Sequence, residues 1–300
     1  MDGRFKFVFL IAVLFLTSLP LLGILKGTKP PPPDPDDALM TARHGEEAAG
    51  HEGEDVTLID NRMVKIPAGE FIRGTNTGGF NERPENSLYV DTYWIDEFEV
   101  TNHQYLEFVE STGHRKPGPP SRYAKNMTNL RGPNQPVTYV SWADAKAFCE
   151  WKGKRLPTEA EWEKAMRGTD GRMWPWGDEL GKDLANLGGA QDGYEFTAPV
   201  GSFPQDRSVF GVFDGAGNLM EWTDNWYVEQ LYSTSVASDS STVSRTYKTL
   251  RGGGYTNRGV DLRITSRMFM VPDFRDETIG FRCVSSQENA RNPEDLADGI

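Results

Sequence analysis

Sulfur and imidazole are scarce in this chain. Its 300 residues include two cysteines, Cys149 and Cys283, and four histidines. Neither cysteine forms a C-x-x-C pair, which excludes a zinc ribbon or a dithiol redox motif. His44 and His51 stand in a polar stretch with few large apolar groups; solvated spacer is the plainer reading there, weak metal binding the alternative. His103 lies at the start of a helix pattern and His114 before a KPGPP loop. Neither neighbours a nucleophile, which a Ser-His-Asp relay requires. Positive charge is also short: 32 Lys and Arg against 44 Asp and Glu leave a net charge of -12. Such a field repels phosphate backbones, which argues against a nucleic-acid partner, and it suits divalent cations. No internal repeat is present.

Long apolar runs occur in one place only. Phe7 to Leu25 reads FVFLIAVLFLTSLPLLGIL, flanked by Arg4 and Lys6 on one side and Lys26 and Lys29 on the other. At about 1.5 Å per residue this helix just spans a hydrocarbon core of about 30 Å. No A-x-A cleavage pattern or lipid-anchor cysteine follows it, so a single-pass anchor in the lipid bilayer is preferred over a cleaved signal peptide. Arg4, Lys6 and the start amine argue for residues 1–6 inside and the remainder on the extracytoplasmic (periplasmic) side; Lys26 and Lys29 pull weakly the other way. Residues 26–55, with Pro30 to Pro33 and an acidic DPDD run, read as a disordered linker. Residues 287–300 read as a polar tail.

Between these ends, residues 56–286 carry the folded domain. With 31 glycines and 19 prolines, a turn-rich α+β fold is expected rather than a helix bundle. Strands are predicted at Met63–Pro67 and Gly69–Gly74, and a strand pair or bent strand over Tyr89–Val100. Three capping boxes open helices at Thr101, Ser141 and Thr158, each cap worth about 1 kcal/mol. Glu159, Glu161 and Glu163 diverge around the third helix, where capping and solvation explain them better than paired catalysis. Gly168 to Asn225 reads as long ordered loop, which needs a ligand, metal or disulfide to hold it. Short closing strands are expected at Tyr247–Arg251, Leu262–Arg267 and Gly280–Val284. Cys149 and Cys283 could close a long loop in an oxidising compartment, for about 4–5 kcal/mol. Two separate buried thiols are the alternative, and the N-terminus favours the disulfide.

The order of motifs is specific. PV..VSW..A.AFC.W.GKRLPTEAEWE over Pro136–Glu163, with IPAGEFIRG, YWIDEFEVTNHQY, WPWGD, GNLMEWTDNWY, LRGGGY and IGFRCV, resembles the formylglycine-generating enzyme (sulfatase-modifying factor) family across about Val56–Ser286. The resemblance implies a C-type-lectin-like variant fold with little regular secondary structure and calcium-ordered loops. It implies that Cys149 and Cys283 form a family disulfide between the second helix and the last strand. It also locates what is missing. The family oxidase grips copper(I), a soft ion, with two thiolates after its GGSY-like turn. Asn257 falls at the first of those positions and Leu262 about at the second, so no copper is expected. No His-x(3)-His-x-Glu iron pattern is present either.

Calcium is the sharpest site expectation. Asp214 and Glu221 flank a Gly-rich turn that can aim the Gly217 and Leu219 carbonyls inward, a hard-oxygen set suited to calcium, at positions the family uses. A first site would combine Asn186, the Leu187 carbonyl, Asp192 and the Tyr194 carbonyl, with a plain Asx-turn as the alternative. Near the missing thiols, Asn257, Arg258, Asp261, Arg263 and Arg267 read either as a peptide-binding groove or as surface ion pairs between closing strands. The expected function is a membrane-anchored accessory or binding protein with a protein or peptide partner at the outer membrane face, assisting or forming part of an exported or membrane protein complex. The alternative is an oxidoreductase-type modifying enzyme with a non-cysteine metal site. Lectin-like sugar binding follows from the fold alone.

Overall fold

The computed structural model describes residues 56–118, 128–179, 181, 183–187, 192–229, 231–232, 245–257 and 262–287. The expected anchor over 7–25, the linker over 26–55, Arg258, Asp261 and the tail beyond 287 lie outside the described residues. Among the described residues, no helix is long and apolar enough to cross a membrane.

Short strands make three small sheets. β1 (Met63–Ile66) pairs antiparallel with β4 (Tyr93–Asp96), which also takes β9 (Val284–Ser285). β2 (Gly69–Arg73) pairs with β3 (Asn86–Val90). The third sheet has the order β7-β6-β5-β8, with β5 at Met220–Trp226, β6 at Lys248–Arg251, β7 at Arg267–Met270 and β8 at Ile279–Gly280. β8 runs parallel to β5. Several expectations change here. The Gly168–Asn225 stretch, read as loop, contains most of β5, and Gly280–Val284 is not one strand but runs from the end of β8 to the start of β9. The Tyr89–Val100 stretch holds no strand pair: β3 and β4 enter different sheets. The Leu262–Arg267 strand begins only at its last residue. Leu262 and Ile264 are drawn into the core, and the Ile264 N–H donates to the Met173 carbonyl at 3.0 Å instead of entering a ladder.

The three capping boxes form as read. α1 (Asn102–Thr112) opens at Thr101 with Gln104 reaching back to it; a short α2 (Thr128–Arg131) follows. α3 (Trp142–Trp151) opens at Ser141 with Asp144, and α4 (Glu159–Arg167) at Thr158 with Glu161. At the α3 cap, Asp144 also accepts from Arg115 Nε at 2.7 Å and lies 2.8 Å from His114 Nε2. Ser141 Oγ donates to Asp144, not to His114, so the cluster is a cap and not a relay. Cys149 on α3 and Cys283, just before β9, are joined by a disulfide with Cα atoms 5.6 Å apart. It crosses an apolar cluster that includes Tyr105, Phe108, Phe148, Trp222 and Phe281.

The glutamates of α4 correct the solvated reading. Glu159, Glu161 and Glu163 are all buried. Glu161 meets Arg155, Glu159 meets Arg267, and Glu163 meets both Arg167 and Arg251. The helix is buried at eight of its nine positions, so its glutamates face protein and take arginines instead of water, while Lys164 Nζ bonds the carbonyls of Pro67, Gly69 and Val90.

Candidate functional site

The Asp214–Glu221 loop bends through two left-handed residues, Asp214 (φ 59°) and Asn218 (φ 66°). Such positions favour Asn and Asp among non-glycine residues. The loop packs directly on the irregular segment of the first expected site. A Cβ on Gly217 would stand 2.4 Å from the Asn186 carbonyl oxygen, so only glycine fits. The two sets of residues expected to bind calcium are therefore neighbours.

At the first set, Asp192 accepts from the N–H groups of Leu187 (2.7 Å) and Tyr194 (3.0 Å), which is the Asx-type turn. The turn does not account for Asn186. Its Nδ2 donates to the Phe196 carbonyl at 2.9 Å and to Asn218 Oδ1 at 3.1 Å. Its Oδ1 is buried with no hydrogen-bond partner. An acceptor oxygen without a donor fits a cation ligand.

At the second set, the sequence named two carboxylates and the structure gathers four. Asp214 Oδ2 accepts from the Gly201 N–H at 2.7 Å. Glu221 accepts from Arg282 Nη2 at 2.7 Å and from Trp162 Nε1 at 3.0 Å. Glu99 accepts from the Leu219 N–H (3.0 Å) and from Asn218 Nδ2 (2.6 Å). Asp206 accepts from the N–H groups of Gly215, Ala216 and Gly217. All four are buried. Glu99, Asp206 and Arg282 were missed because no local spacing links them to the loop. Burial, reinforced by the charge of Asp214, pushes the Asp206 carboxyl up to about 8. Burial pushes Asp214 up to about 7, against the pull of the Gly201 hydrogen bond and Arg282. Burial and the charges of Asp214 and Glu221 drive Glu99 well above the carboxylate range. Four buried acids thus face one guanidinium, an excess that a divalent cation would offset. The donor chemistry fits calcium, although Arg282 and Trp162 already occupy much of Glu221. Among the described residues, no three acidic, His or Cys side chains form a ready metal cage. Backbone carbonyls would have to complete the set, as calcium permits.

The expected groove is different. Arg267 is buried; its Nε and Nη2 bond Glu159, and its Nη1 bonds the carbonyls of Asn81 and Val228. Arg263 Nη2 bonds Glu82 at 2.9 Å. Arg267 has no free fork for a peptide, Arg263 Nε is buried without a partner, and neither pair joins closing strands on the surface. Their partners come from α4 and from the 3-10 turn Phe80–Glu82, more than a hundred residues away in sequence. Asn257 Oδ1 accepts from the Gly254 N–H at 2.8 Å and so closes its own turn, while Leu262 is buried. This position does not suit copper(I): an amide and an aliphatic chain stand where thiolates are needed, and both cysteines of the chain are spent in the disulfide.

Comparison with known proteins gives a consistent picture. The family model described as sulfatase-modifying factor enzyme 1-like domain matches residues 52–287. The chain is 33% identical to the formylglycine-generating enzyme of Streptomyces coelicolor over 288 residues, covering 75% of this chain and 90% of that one. It is 31% identical to the inactive C-alpha-formylglycine-generating enzyme 2 of Mus musculus over 285 residues, covering 79% and 89%. Among solved structures it is similar to PvdO from Pseudomonas aeruginosa, with a TM-score of 0.66 and 28% identity over 75% of this chain and 94% of that one.

Proposed function

The chain belongs to the sulfatase-modifying factor enzyme 1-like family, and on that premise we propose that it is a member turned from oxidation to binding. In this reading it is anchored by residues 7–25, stands on the extracytoplasmic side of a membrane, and serves as an accessory or binding protein for an exported or membrane protein complex. The observation that carries the proposal is the fate of sulfur. The only two cysteines are joined to each other, and the turn that holds the thiols in family oxidases ends in Asn257 and Leu262. The family contains formylglycine-generating enzymes and a relative named as inactive, so such a change has a parallel.

Calcium would have a structural role. Asn186 and Asp192, with the carbonyls of Leu187 and Tyr194, would hold one ion, and Asp214 and Glu221, with the carbonyls of Gly217 and Leu219, a second, and the ions would fix two long loops that already pack on each other. The chain's own residues already do part of that work. Asp206 gathers three consecutive N–H groups of the second loop, and Asn218 ties that loop to Asn186 and to Ala198.

The test is capture from intact membranes. Cross-linking the full chain in its own membrane should recover a defined protein partner, and metal analysis should find calcium without stoichiometric iron or copper. Conversion of a sulfatase-motif cysteine to formylglycine by the purified protein with added copper would overturn the proposal, as would stoichiometric iron or copper.

A further inference from the structure

β7 is the outer strand of its sheet, and the hydrogen bonds around it fix which way its backbone faces. The Tyr247 carbonyl accepts from the Tyr227 N–H at 2.8 Å, and the Thr249 carbonyl accepts from the Thr223 hydroxyl at 3.0 Å. Both carbonyls therefore point toward β5. Successive residues of an antiparallel ladder alternate sides, so Lys248 and Leu250 bond β7, through Met270 and Met268 opposite them. Thr249 stands opposite Phe269, and Phe269 thus turns its own N–H and C=O away from the sheet. The Arg267 carbonyl, two residues earlier, agrees: it takes Asn81 Nδ2 at 3.0 Å on that outer side. Among the described residues, nothing bonds the outward N–H and C=O of Phe269.

Bare edges are ordinarily blunted by lysine, proline or a bulge, because they template pairing with another chain. β7 reads RMFM and runs against β6 over four consecutive pairs without a shift, so none of these devices is present. Apolar surface surrounds it instead. The Phe269 ring lies 4.3 Å from Tyr227 and 5.1 Å from Tyr247, centroid to centroid. Phe80 flanks the edge, since its neighbour Asn81 bonds both the Arg267 carbonyl and the Tyr227 hydroxyl. Val271 and Phe274 follow β7 in a turn closed at 3.0 Å by the Phe274 N–H and the Val271 carbonyl. With Met268 and Tyr247 they make six bare residues, from 37% exposed at Phe274 to 68% at Phe80.

The length of the edge and the area around it select the occupant. Asn81 and the Phe274 N–H already hold the carbonyls on either side, so the open edge is one residue long. A long foreign strand would gain no ladder there. A two-fold axis through Phe269 uses all of it: the N–H of each copy donates to the C=O of the other, and like meets like across the axis. At about 150–250 Å² for a large side chain, the six exposures amount to about 500 Å² of apolar surface. Interfaces between like chains are about 65% apolar, so a contact centred here would cover about 800 Å² on each copy, the size a stable dimer needs.

We propose that the open edge of β7 pairs antiparallel with the same edge of a second copy, across a two-fold axis at Phe269. The sheet then continues from one protomer into the other, and Met268 of each copy meets Met270 of its mate. The dimer goes beyond the accessory role and stands independently of it: membrane capture tests that role, and mass tests this one.

The experiment is sedimentation equilibrium of the full chain in a density-matched mild detergent, with disulfide trapping beside it. The wild-type chain should show a concentration-dependent dimer. Phe269→Lys and Met268→Lys should each raise its Kd about tenfold or more. Both side chains are about half exposed, so the dilute variants should melt with the wild type, which separates loss of contact from loss of fold. Added salt should tighten the dimer, because each copy carries a net charge of -12 and the six contact residues carry none. The chain's own cysteines are both in the internal disulfide, so a new cysteine reports position cleanly. Paired residues at the axis lie about 5.5 Å apart at Cα, within disulfide reach. Phe269→Cys should therefore cross-link to a dimer under mild oxidation by diamide, while Val209→Cys, exposed elsewhere, should not. A wild-type chain that stays monomeric to about 100 μM overturns the proposal. So does a dimer that survives Phe269→Lys, which would be held by another surface, or a Phe269→Cys chain that cross-links no faster than Val209→Cys.

Discussion

Replacing Glu163 by glutamine strikes the point where the buried charges of the domain converge. The side chain is fully buried, and all its acceptor capacity is in use. Oε1 takes the Gly74 N–H at 2.7 Å and Arg167 Nη1 at 3.2 Å. Oε2 takes Arg251 Nη2 at 2.7 Å and the Tyr232 hydroxyl at 3.2 Å. Arg251 is itself fully buried, and its Nε already lacks a partner. The amide keeps the shape of the acid, loses its charge, and turns two donor hydrogens toward groups that are themselves donors. Breaking one side of a buried pair costs about 3–5 kcal/mol, because the other charge is stranded. That is a large share of a total stability of about 5–15 kcal/mol. At about 2–4 °C per kcal/mol for a domain of this size, the melting temperature should fall by roughly 6–20 °C. Thermal melts read by tryptophan fluorescence and by circular dichroism measure it, with the two probes required to coincide. Replacing Glu163 and Arg251 together by methionine should cost less than the sum of the two single changes by at least about 1 kcal/mol, since no charge is then left alone. A glutamine variant melting within about 2 °C of wild type, or a fully additive double variant, would refute the claim that charge pairing in a dry interior supports this frame.

Three further outcomes follow from other parts of the structure. The disulfide closes a separation of 134 residues, so reducing it should lower stability by about 4–5 kcal/mol in the chain-entropy model, read as a shift in urea midpoint with and without dithiothreitol. Asp144 is buried, which alone would raise its pKa, but hydrogen bonds from Arg115, Ser141 and His114 outweigh that and hold it at about 2. Its folded pKa lies below its unfolded one, so its contribution, on the order of 2 kcal/mol, is present above about pH 4 and is lost as pH falls through about 2; Asp144→Asn should abolish that part of the acid transition in pH-resolved melts. Calcium at a hundredfold over its dissociation constant should stabilise the domain by about 2.7 kcal/mol per site, with magnesium much weaker, and Asn186→Ala should reduce the calorimetric response by one site.

What could be read from sequence here was what is local. Each capping box lies within four consecutive residues, and all three formed where the spacing put them. The Asp214–Glu221 turn is contiguous, so its glycine requirement and its acids could be named in advance. Glu99, Asp206 and Arg282 reach the same place from distant segments and carry no spacing signal. The α4 glutamates misled for a related reason. Periodicity asks which face of a helix is apolar, and it assigns charged positions to water. In α4 eight residues from Glu159 to Arg167 are buried, and the charges are matched by arginines, several of them from other elements. Arg263 and Arg267, read either as groove residues or as surface ion pairs, do form ion pairs, but with Glu82 and Glu159, which nothing nearby announces as partners.

The separation of frame from turn is consistent with a family that includes formylglycine-generating enzymes and a relative named as inactive. In this chain the buried pairs Glu163–Arg251, Glu159–Arg267 and Glu221–Arg282 tie α4 and β5 to the rest of the domain. None of them involves the turn from Gly252 to Asn257. That turn is closed by its own bonds, the Gly254 N–H to Asn257 Oδ1 and the Asn257 N–H to the Gly254 carbonyl, both 2.8 Å. Its glycines are set by packing: a Cβ on Gly252 would press on Trp162, and one on Gly253 would press on Leu262. The backbone shape is therefore fixed by neighbours and by one local side-chain bond, that of Asn257. A thiol at that point serves a metal, and an amide serves the turn. Either is compatible with the same frame, so a few residues on one turn can change while the fold stays the same.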